Sequence, residues 1–193
     1  MAGAGTDALI RLGPLSNHMT ELPDRARRAF RDHDAFAPEE ATDGERFVAE
    51  STPFDAVVDP KPGEGGTIEF ALTVRVPMLD EVTEDEVAPV VEEGWYETFE
   101  RRVASIGGGV LAGDSEPEPA VEETTFAGDR VAQVTAEVTD IDPNRGVNDA
   151  AAIVDFVEGT FVQGVIPGYD YTEPVTGILS KARRAGGSDG VQQ

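Results

Sequence analysis

The sequence predicts an α+β fold, with an antiparallel sheet of about five strands and helices packed on one face. Three observations lead to this prediction. Segments in which apolar residues alternate with polar ones are typical of strands, and short turns join them into antiparallel pairs. Three other segments carry apolar residues at helical spacing. Along the chain, the predicted helices and strands follow the order α-β-β-β-α-β-β-α. Helices that lie on one side of an antiparallel sheet form a two-layer domain with it.

The first helix is expected over residues 22–36. Pro23 suits a first helical turn, where its missing N–H costs nothing, and Pro38 ends the segment. One face of this helix would be a buried apolar stripe made of Leu22, Ala26, Ala29, Phe30, His33 and Phe36. The opposite face carries a cluster of four arginines, namely Arg25, Arg27, Arg28 and Arg31.

The next three elements have the pattern of strands, over residues 46–51, 54–59 and 67–76. The third strand has the most regular alternation, with five apolar residues at every second position: Ile68, Phe70, Leu72, Val74 and Val76. We expect all five to point to one face, because a shift of one residue would expose all of them at once. That face is expected to pack against aromatic residues of the two later helices, Trp95, Phe99 and Phe161.

Four further segments complete the pattern. A second helix is expected over residues 84–106, where a run of glycines ends it. Residues 121–126 and 130–139 form a hairpin around a short glycine-containing turn. A third helix spans residues 148–165, and Pro167 stops it.

The domain organisation follows from these elements. We interpret residues 19–179 as one domain. Residues 1–18 lack the apolar region of a secretory signal and are expected to be a disordered leader, or to precede a true start at Met19. Residues 180–193 are polar and glycine-rich and are expected to form a flexible tail.

The charge of the chain restricts its environment and its partners. Among 193 residues, 38 are acidic and 15 basic, a formal net charge of −23, and only Lys61 and Lys181 are lysines. This composition resembles that of proteins from halophiles. At about 1 M salt the Debye length falls to about 3 Å, so surface carboxylates no longer repel each other over longer distances. We therefore expect a cytoplasmic protein of a halophile. The same charge argues against nucleic acid as a partner.

Composition also excludes several chemistries. The chain has no cysteine, which excludes disulfides and thiolate sites. It has no run of about 18 to 20 apolar residues, so we expect no contact with a membrane.

Two motifs resemble ligand sites without meeting their requirements. Gly107, Gly109 and Ala112 match a loose dinucleotide fingerprint, but they follow a helix instead of joining a strand to one. Residues 140–146 begin like a calcium loop, but Ala151 stands where a bidentate glutamate is needed. A helix stop and a turn that caps the third helix are the favoured interpretations. The sequence therefore predicts no cofactor and no metal site.

Catalytic residues are not indicated either. The two histidines are His18 and His33, and no serine lies in a nucleophile-elbow motif. We expect His33 to be a partly buried helix residue rather than a base. With 38 acidic residues, no carboxylate pair can be singled out.

Two groups of residues are candidates for binding. The arginine cluster of the first helix would bind an acidic ligand or a partner helix, or else pair with carboxylates of its own fold. Tyr169, Asp170 and Tyr171 follow a Pro-Gly turn and would line a recognition surface, or else cover the edge of the core.

Residues 19–30 and the turn at 167–171 resemble a family of small acidic haloarchaeal proteins without an assigned activity. The resemblance extends over residues 19–185 and implies no site residues. The order of elements is also similar to that of type III secretion chaperones and YbjN-like proteins, a group whose members bind other proteins and often form dimers. This second similarity concerns the fold alone.

We therefore expect a non-enzymatic adaptor or chaperone-like domain that binds a protein partner and can form a homodimer. The alternative is an enzyme whose site is built from scattered carboxylates and tyrosines. A third interpretation is a domain that serves only to stabilise a larger assembly.

Overall fold

The computed structural model of the chain describes residues 22–40, 45–107 and 109–187. Its helices and strands, in chain order, are α1 (Asp24–Arg31), β1 (Phe36–Pro38), β2 (Phe47–Ala49), β3 (Asp55–Pro62), β4 (Ile68–Pro77), α2 (Pro89–Val103), β5 (Ala120–Phe126), β6 (Asp129–Asp140), α3 (Pro143–Gln163) and α4 (Val175–Gly187). The expected leader at residues 1–18, with His18, lies outside the described residues. None of the helices described is long and apolar enough to cross a membrane.

The strands form one antiparallel sheet in the order β1-β2-β3-β4-β6-β5. The predicted α+β class, with helices packed on the sheet, is confirmed, but the sheet has six strands rather than five. The additional strand is β1, in a segment expected to be helical. The chain leaves α1 after Arg31, and the N–H of Ala35 donates to Nδ1 of His33. Phe36 then pairs with Ala49 in the sheet, so the helical spacing of His33 and Phe36 was misleading.

Strand β4 lies in the middle of the sheet and carries the core. Its five alternating apolar residues are each at most 2% exposed, which confirms that they share one face. Helix α3 crosses this face closely at Gly146, where an added Cβ would lie 2.2 Å from Cε2 of Phe70. Only glycine fits at this crossing.

The helices lie side by side on this face, with α3 between α1 and α2. Trp95 on α2 is 5% exposed and stacks on Phe99 with ring centroids 5.4 Å apart. It also meets Phe161 of α3 edge-on at 5.7 Å. These contacts place the three aromatic residues in the core as expected, although the aromatic ring that lies beside Phe70 is that of Phe30, at 6.0 Å.

An aromatic cluster fills the core at the β1 end of the sheet. The rings of Phe30 and Phe47 are stacked 3.9 Å apart, and Phe36 meets Phe30 edge-on at 5.3 Å. All three side chains are buried. This cluster fastens α1 to the short strands β1 and β2.

Two helices start at other residues than expected, and one further helix is present. Helix α2 starts at Pro89 instead of residue 84, since proline is favoured in a first turn. Helix α3 begins at Pro143, five residues earlier than expected, because Asp142 caps it. Helix α4 was not predicted, and residues 180–187 continue it where a flexible tail was expected.

Candidate functional site

Strand β5 is the edge of the sheet and pairs only with β6 within the described residues. The two strands are joined by a two-residue turn, Ala127 and Gly128, which have φ of 54° and 110°. Such a turn closes on a hydrogen-bonded pair, here Phe126 and Asp129. Because hydrogen-bonded and non-hydrogen-bonded pairs alternate, the backbone groups of residues 121, 123 and 125 point away from β6.

Both faces of β5 are also poorly covered. Five of its seven residues are exposed, and only Val121 and Thr124 are partly buried. Phe126, at its end, remains 40% exposed although it lies over the guanidinium of Arg75, 4.3 Å from the ring centroid. An edge strand of this length, with backbone groups that point away from β6, is a template for pairing with another chain.

A cleft of about 520 Å³ lies between β5 and α2. Its wall includes Glu92, which is buried and fully engaged: Oε1 accepts the N–H of Asp80 at 3.1 Å, and Oε2 lies 2.9 Å from Nη1 of Arg130. Nη2 of Arg130 lies 2.8 Å from Oε1 of Glu123 on β5. This Glu92–Arg130–Glu123 chain holds α2 against the β5–β6 hairpin.

Three more carboxylates line the same cleft without a partner among the described residues: Glu93, Glu97 and Glu100. Tyr96 lies among them, and its hydroxyl accepts a hydrogen bond from the backbone N–H of Glu123 on the outer side of β5. Burial, and next the negative charges of Glu100 and Glu123, raise the pKa of the Tyr96 hydroxyl, which therefore stays protonated and neutral. The cleft thus carries a net negative charge along the open strand.

On the face of the sheet that points away from the helices, polar side chains near this edge hydrogen-bond to each other. Nη1 of Arg75 lies 2.5 Å from Oδ1 of Asp55, and its Nε donates to Oε1 of Gln133 at 2.8 Å. The amide of Gln133 donates to Glu122 at 2.8 Å. This hydrogen-bonded row crosses β3, β4, β6 and β5. Glu122 is therefore tied to the sheet, whereas Glu93, Glu97 and Glu100 of α2 have no partner among the described residues.

Two members of the arginine cluster pair with other described residues, and two do not. Arg25 donates to the carbonyl of Gly66, and Arg27 lies 3.6 Å from Asp24 and 3.4 Å from Glu45. Arg28 and Arg31 are exposed and have no side-chain partner among the described residues. Half of the cluster therefore pairs within the fold, and half faces solvent.

The tyrosine turn is fastened to the segment before α2. The Tyr171 hydroxyl accepts the N–H of Ile166 at 2.9 Å and donates to its carbonyl at 3.2 Å. The carbonyl of Asp170 accepts the N–H of Glu84 at 2.8 Å. Tyr169 is half-buried against the core. The arginine cluster and this turn are not brought together with the cleft.

The calcium-like motif is a helix start. The side chain of Asp142 accepts the N–H groups of Asn144 and Arg145 and caps α3. Asp140 is paired with Arg145, with Oδ2 2.6 Å from Nε, and this hydrogen bond lowers the pKa of Asp140. Within the described residues, no group of three or more histidines and carboxylates is arranged to hold a metal ion.

The loop before β5 is anchored by a buried carboxylate. Asp149 of α3 is 2% exposed and accepts the N–H of Ala112 at 2.7 Å and that of Gly113 at 3.0 Å. An added Cβ at Gly113 would lie 2.8 Å from this carboxylate. The segment after α2 is therefore docked on α3 at residues 112 and 113.

The residues of the cleft were not singled out from the sequence. Their signal is the spacing of Glu93, Glu97 and Glu100, which places them on one side of a helix. That signal gains meaning only once β5 is known to lie beside α2.

Most of the chain matches the model of one protein family. Residues 31–181 match the model described as a family of unknown function, DUF5813. No curated protein and no solved structure matches the chain significantly.

Proposed function

Since the chain belongs to the DUF5813 family, whose function is unknown, we propose a function from its own structure. It is a protein-binding domain that takes up an extended, basic segment of a partner as a seventh strand beside β5. The sequence-based expectation of a family without assigned activity holds. The haloarchaeal origin, the chaperone-like kinship, the salt adaptation and the cytoplasmic location remain parts of this proposal.

The observation that carries the proposal is the outer side of β5, on which no other strand of the described residues pairs. An extended segment added there would hydrogen-bond to the outward backbone groups of Val121 and Thr125, and it would replace the Tyr96 hydroxyl at the N–H of Glu123, as in other cases of strand addition. It would also cover the outer edge of a strand whose residues are mostly exposed. Backbone pairing supplies affinity, and side chains on alternate positions supply specificity.

Charge selects the partner. Glu122 and Glu123 lie on the strand, and three glutamates of α2 without a partner among the described residues line the adjoining cleft. A second copy of β5 would bring the same carboxylates together, and like charges across an interface are unfavourable. The expected homodimer is therefore not proposed at this edge, and the occupant is a segment rich in lysine or arginine.

The alternative of an enzyme built from carboxylates and tyrosines would place its site in the same cleft. There, Glu92 uses both oxygens to hold Asp80 and Arg130, so it does not offer a free base. The raised pKa of Tyr96 likewise makes it a poorer base at neutral pH. This arrangement favours binding over proton transfer.

The proposal can be tested with a capped eight-residue peptide of threonine and valine that contains two lysines two positions apart. On binding, the amides of Val121 and Thr125 should gain protection from hydrogen exchange, measured by NMR in KCl. Thr125→Pro removes one outward N–H and should weaken binding about two- to ten-fold, the effect of losing one hydrogen bond. Thr125→Val keeps that N–H and should bind like the parent.

Three results would contradict the proposal. The first is binding of the peptide without protection at Val121 and Thr125. The second is equal affinity of the proline variant and the parent. The third is a dimer, detected by sedimentation, in which the amides of Val121 and Thr125 are protected without peptide. A second copy of the chain would then occupy the edge.

A further inference from the structure

We propose that the partner segment carries its cationic side chains at alternate positions, two residues apart, on the side that faces α2. This inference rests on the proposed function and adds the pattern by which the edge recognises its partner. The pattern follows from the two faces of β5, which offer different chemistry to an added strand.

The face toward α2 attracts cations. Glu123 points to this side, since it shares Arg130 with Glu92 of α2. The cleft there holds five glutamates, of which only Glu92 and Glu123 are neutralised by Arg130. Side chains of an added strand that point to this side would therefore meet uncompensated carboxylates.

The opposite face offers little to a cation. The side chain of Glu122 already accepts the amide of Gln133, and Phe126 is the exposed apolar group at the end of the strand. Ala120 pairs with Thr135, and Thr135 with Thr73, which continues an uncharged row across the sheet. Side chains that point to this face are expected to be small, apolar or hydroxyl-bearing.

The geometry of a strand agrees with this division. Along a strand, side chains on one face repeat about every 6.7 Å, so two cations two residues apart both point toward α2 and its carboxylates. Cations three residues apart point to opposite faces, and one of them points away from the cleft.

The test compares two peptides of identical composition. One has its two lysines two positions apart and the other three positions apart, and a third has glutamine in place of both lysines. Affinities are measured by fluorescence anisotropy at the lowest KCl concentration that keeps the protein folded. The first peptide should bind about two- to five-fold tighter than the second, the effect of one additional exposed ion pair, and the third should bind most weakly.

Substitutions identify the carboxylates responsible. Glu97→Gln should reduce the preference for the two-apart peptide, because it removes one carboxylate of the cleft. Glu137→Gln makes the same change on the exposed outer face of β6 and should leave the preference unchanged.

The possible results separate the two proposals. Equal affinity for both lysine peptides, or tighter binding of the three-apart peptide, would overturn the alternating pattern while strand addition stands. A preference that Glu137→Gln reduces as much as Glu97→Gln would also overturn it. If none of the three peptides binds, strand addition itself fails, and the pattern with it.

Discussion

The two edges of the sheet are built in opposite ways. The β1 edge is three residues long, ends at Pro38 and is backed by α1 and the aromatic cluster of Phe30, Phe36 and Phe47. The β5 edge is seven residues long, contains no proline and exposes most of its side chains. Short strands and prolines are the usual means of blunting an edge. One end of the sheet is therefore closed by its own residues, whereas the other is left open beside an acidic cleft.

The difference shows that charge and openness lie at the same end of the molecule. Carboxylates along an edge strand can by themselves discourage aggregation. Here they are joined by three glutamates of a neighbouring helix that have no partner among the described residues, and the proposed preference for a basic partner depends on these charges. Four measurements test this difference between the two edges.

The largest effect is expected from salt. Moving the protein from molar KCl to about 0.01 M lengthens the Debye length from about 3 Å to about 30 Å, so that the net charge of −23 repels itself across the whole fold. Stability should fall by more than any single core substitution causes. In hydrogen exchange at intermediate salt, the amides of β5 should open before those of β3 and β4. Thermal melts that do not depend on salt would contradict the halophilic interpretation.

The next effect concerns the core shared by both ends. Phe70→Ala should cost about 3 to 5 kcal/mol in the free energy of unfolding, because it removes a fully buried ring between Phe30 and Gly146. Thr73→Val, on the outer face of the same strand, should change stability by about 0.5 kcal/mol or less. Denaturant titrations measure both. Similar costs for the two variants would show that the faces of β4 are assigned wrongly.

A smaller effect is expected where the loop before β5 is anchored. Asp149→Asn replaces one of two accepting oxygens with a donor and leaves the N–H of Ala112 or Gly113 unsatisfied. The expected cost is about 1 to 3 kcal/mol in denaturant titrations. Asp155→Asn makes the same change at an exposed position of α3 and serves as the control. If the two variants are equally stable, the anchor does not hold the loop.

The smallest effect tests which backbone groups of β5 are free. Thr125→Pro should cost about 0.5 kcal/mol or less, because its N–H points outward, where proline is tolerated on edge strands. Thr124→Pro removes a hydrogen bond to β6 and should cost at least about 1 kcal/mol. If Thr125→Pro is instead the less stable variant, the N–H groups of the even-numbered residues point outward, and the assignment of outward N–H groups is wrong.

Much of the fold was predictable because local patterns carry it. The alternation in β4 identifies its buried face without any knowledge of neighbours, and the capping role near Asp142 follows from residue type and position. Strand β1 was missed because Phe36 falls in phase with the helical stripe before it. Its pairing with Ala49 depends on residues 13 positions away, which no local period reveals.

The candidate site was not predictable for the same reason. That β5 is an edge depends on β6 inserting between it and β4, a long-range pairing. The arginine cluster illustrates the converse: its residues are close in sequence, yet Arg27 pairs with Glu45 from another segment, while Arg28 has no side-chain partner among the described residues. Composition indicates which charges exist, but only the fold decides which of them are neutralised.

The single tryptophan gives this molecule an internal reporter. Trp95 is the chain's only indole, and it is held between α2 and α3 by Phe99 and Phe161, one residue before Tyr96 of the cleft. The fluorescence emission of Trp95 therefore reports on the packing of α2 against α3, without an added label. A red shift of this emission that precedes the loss of helical circular dichroism would mean that α2 separates from α3 while the rest of the fold persists.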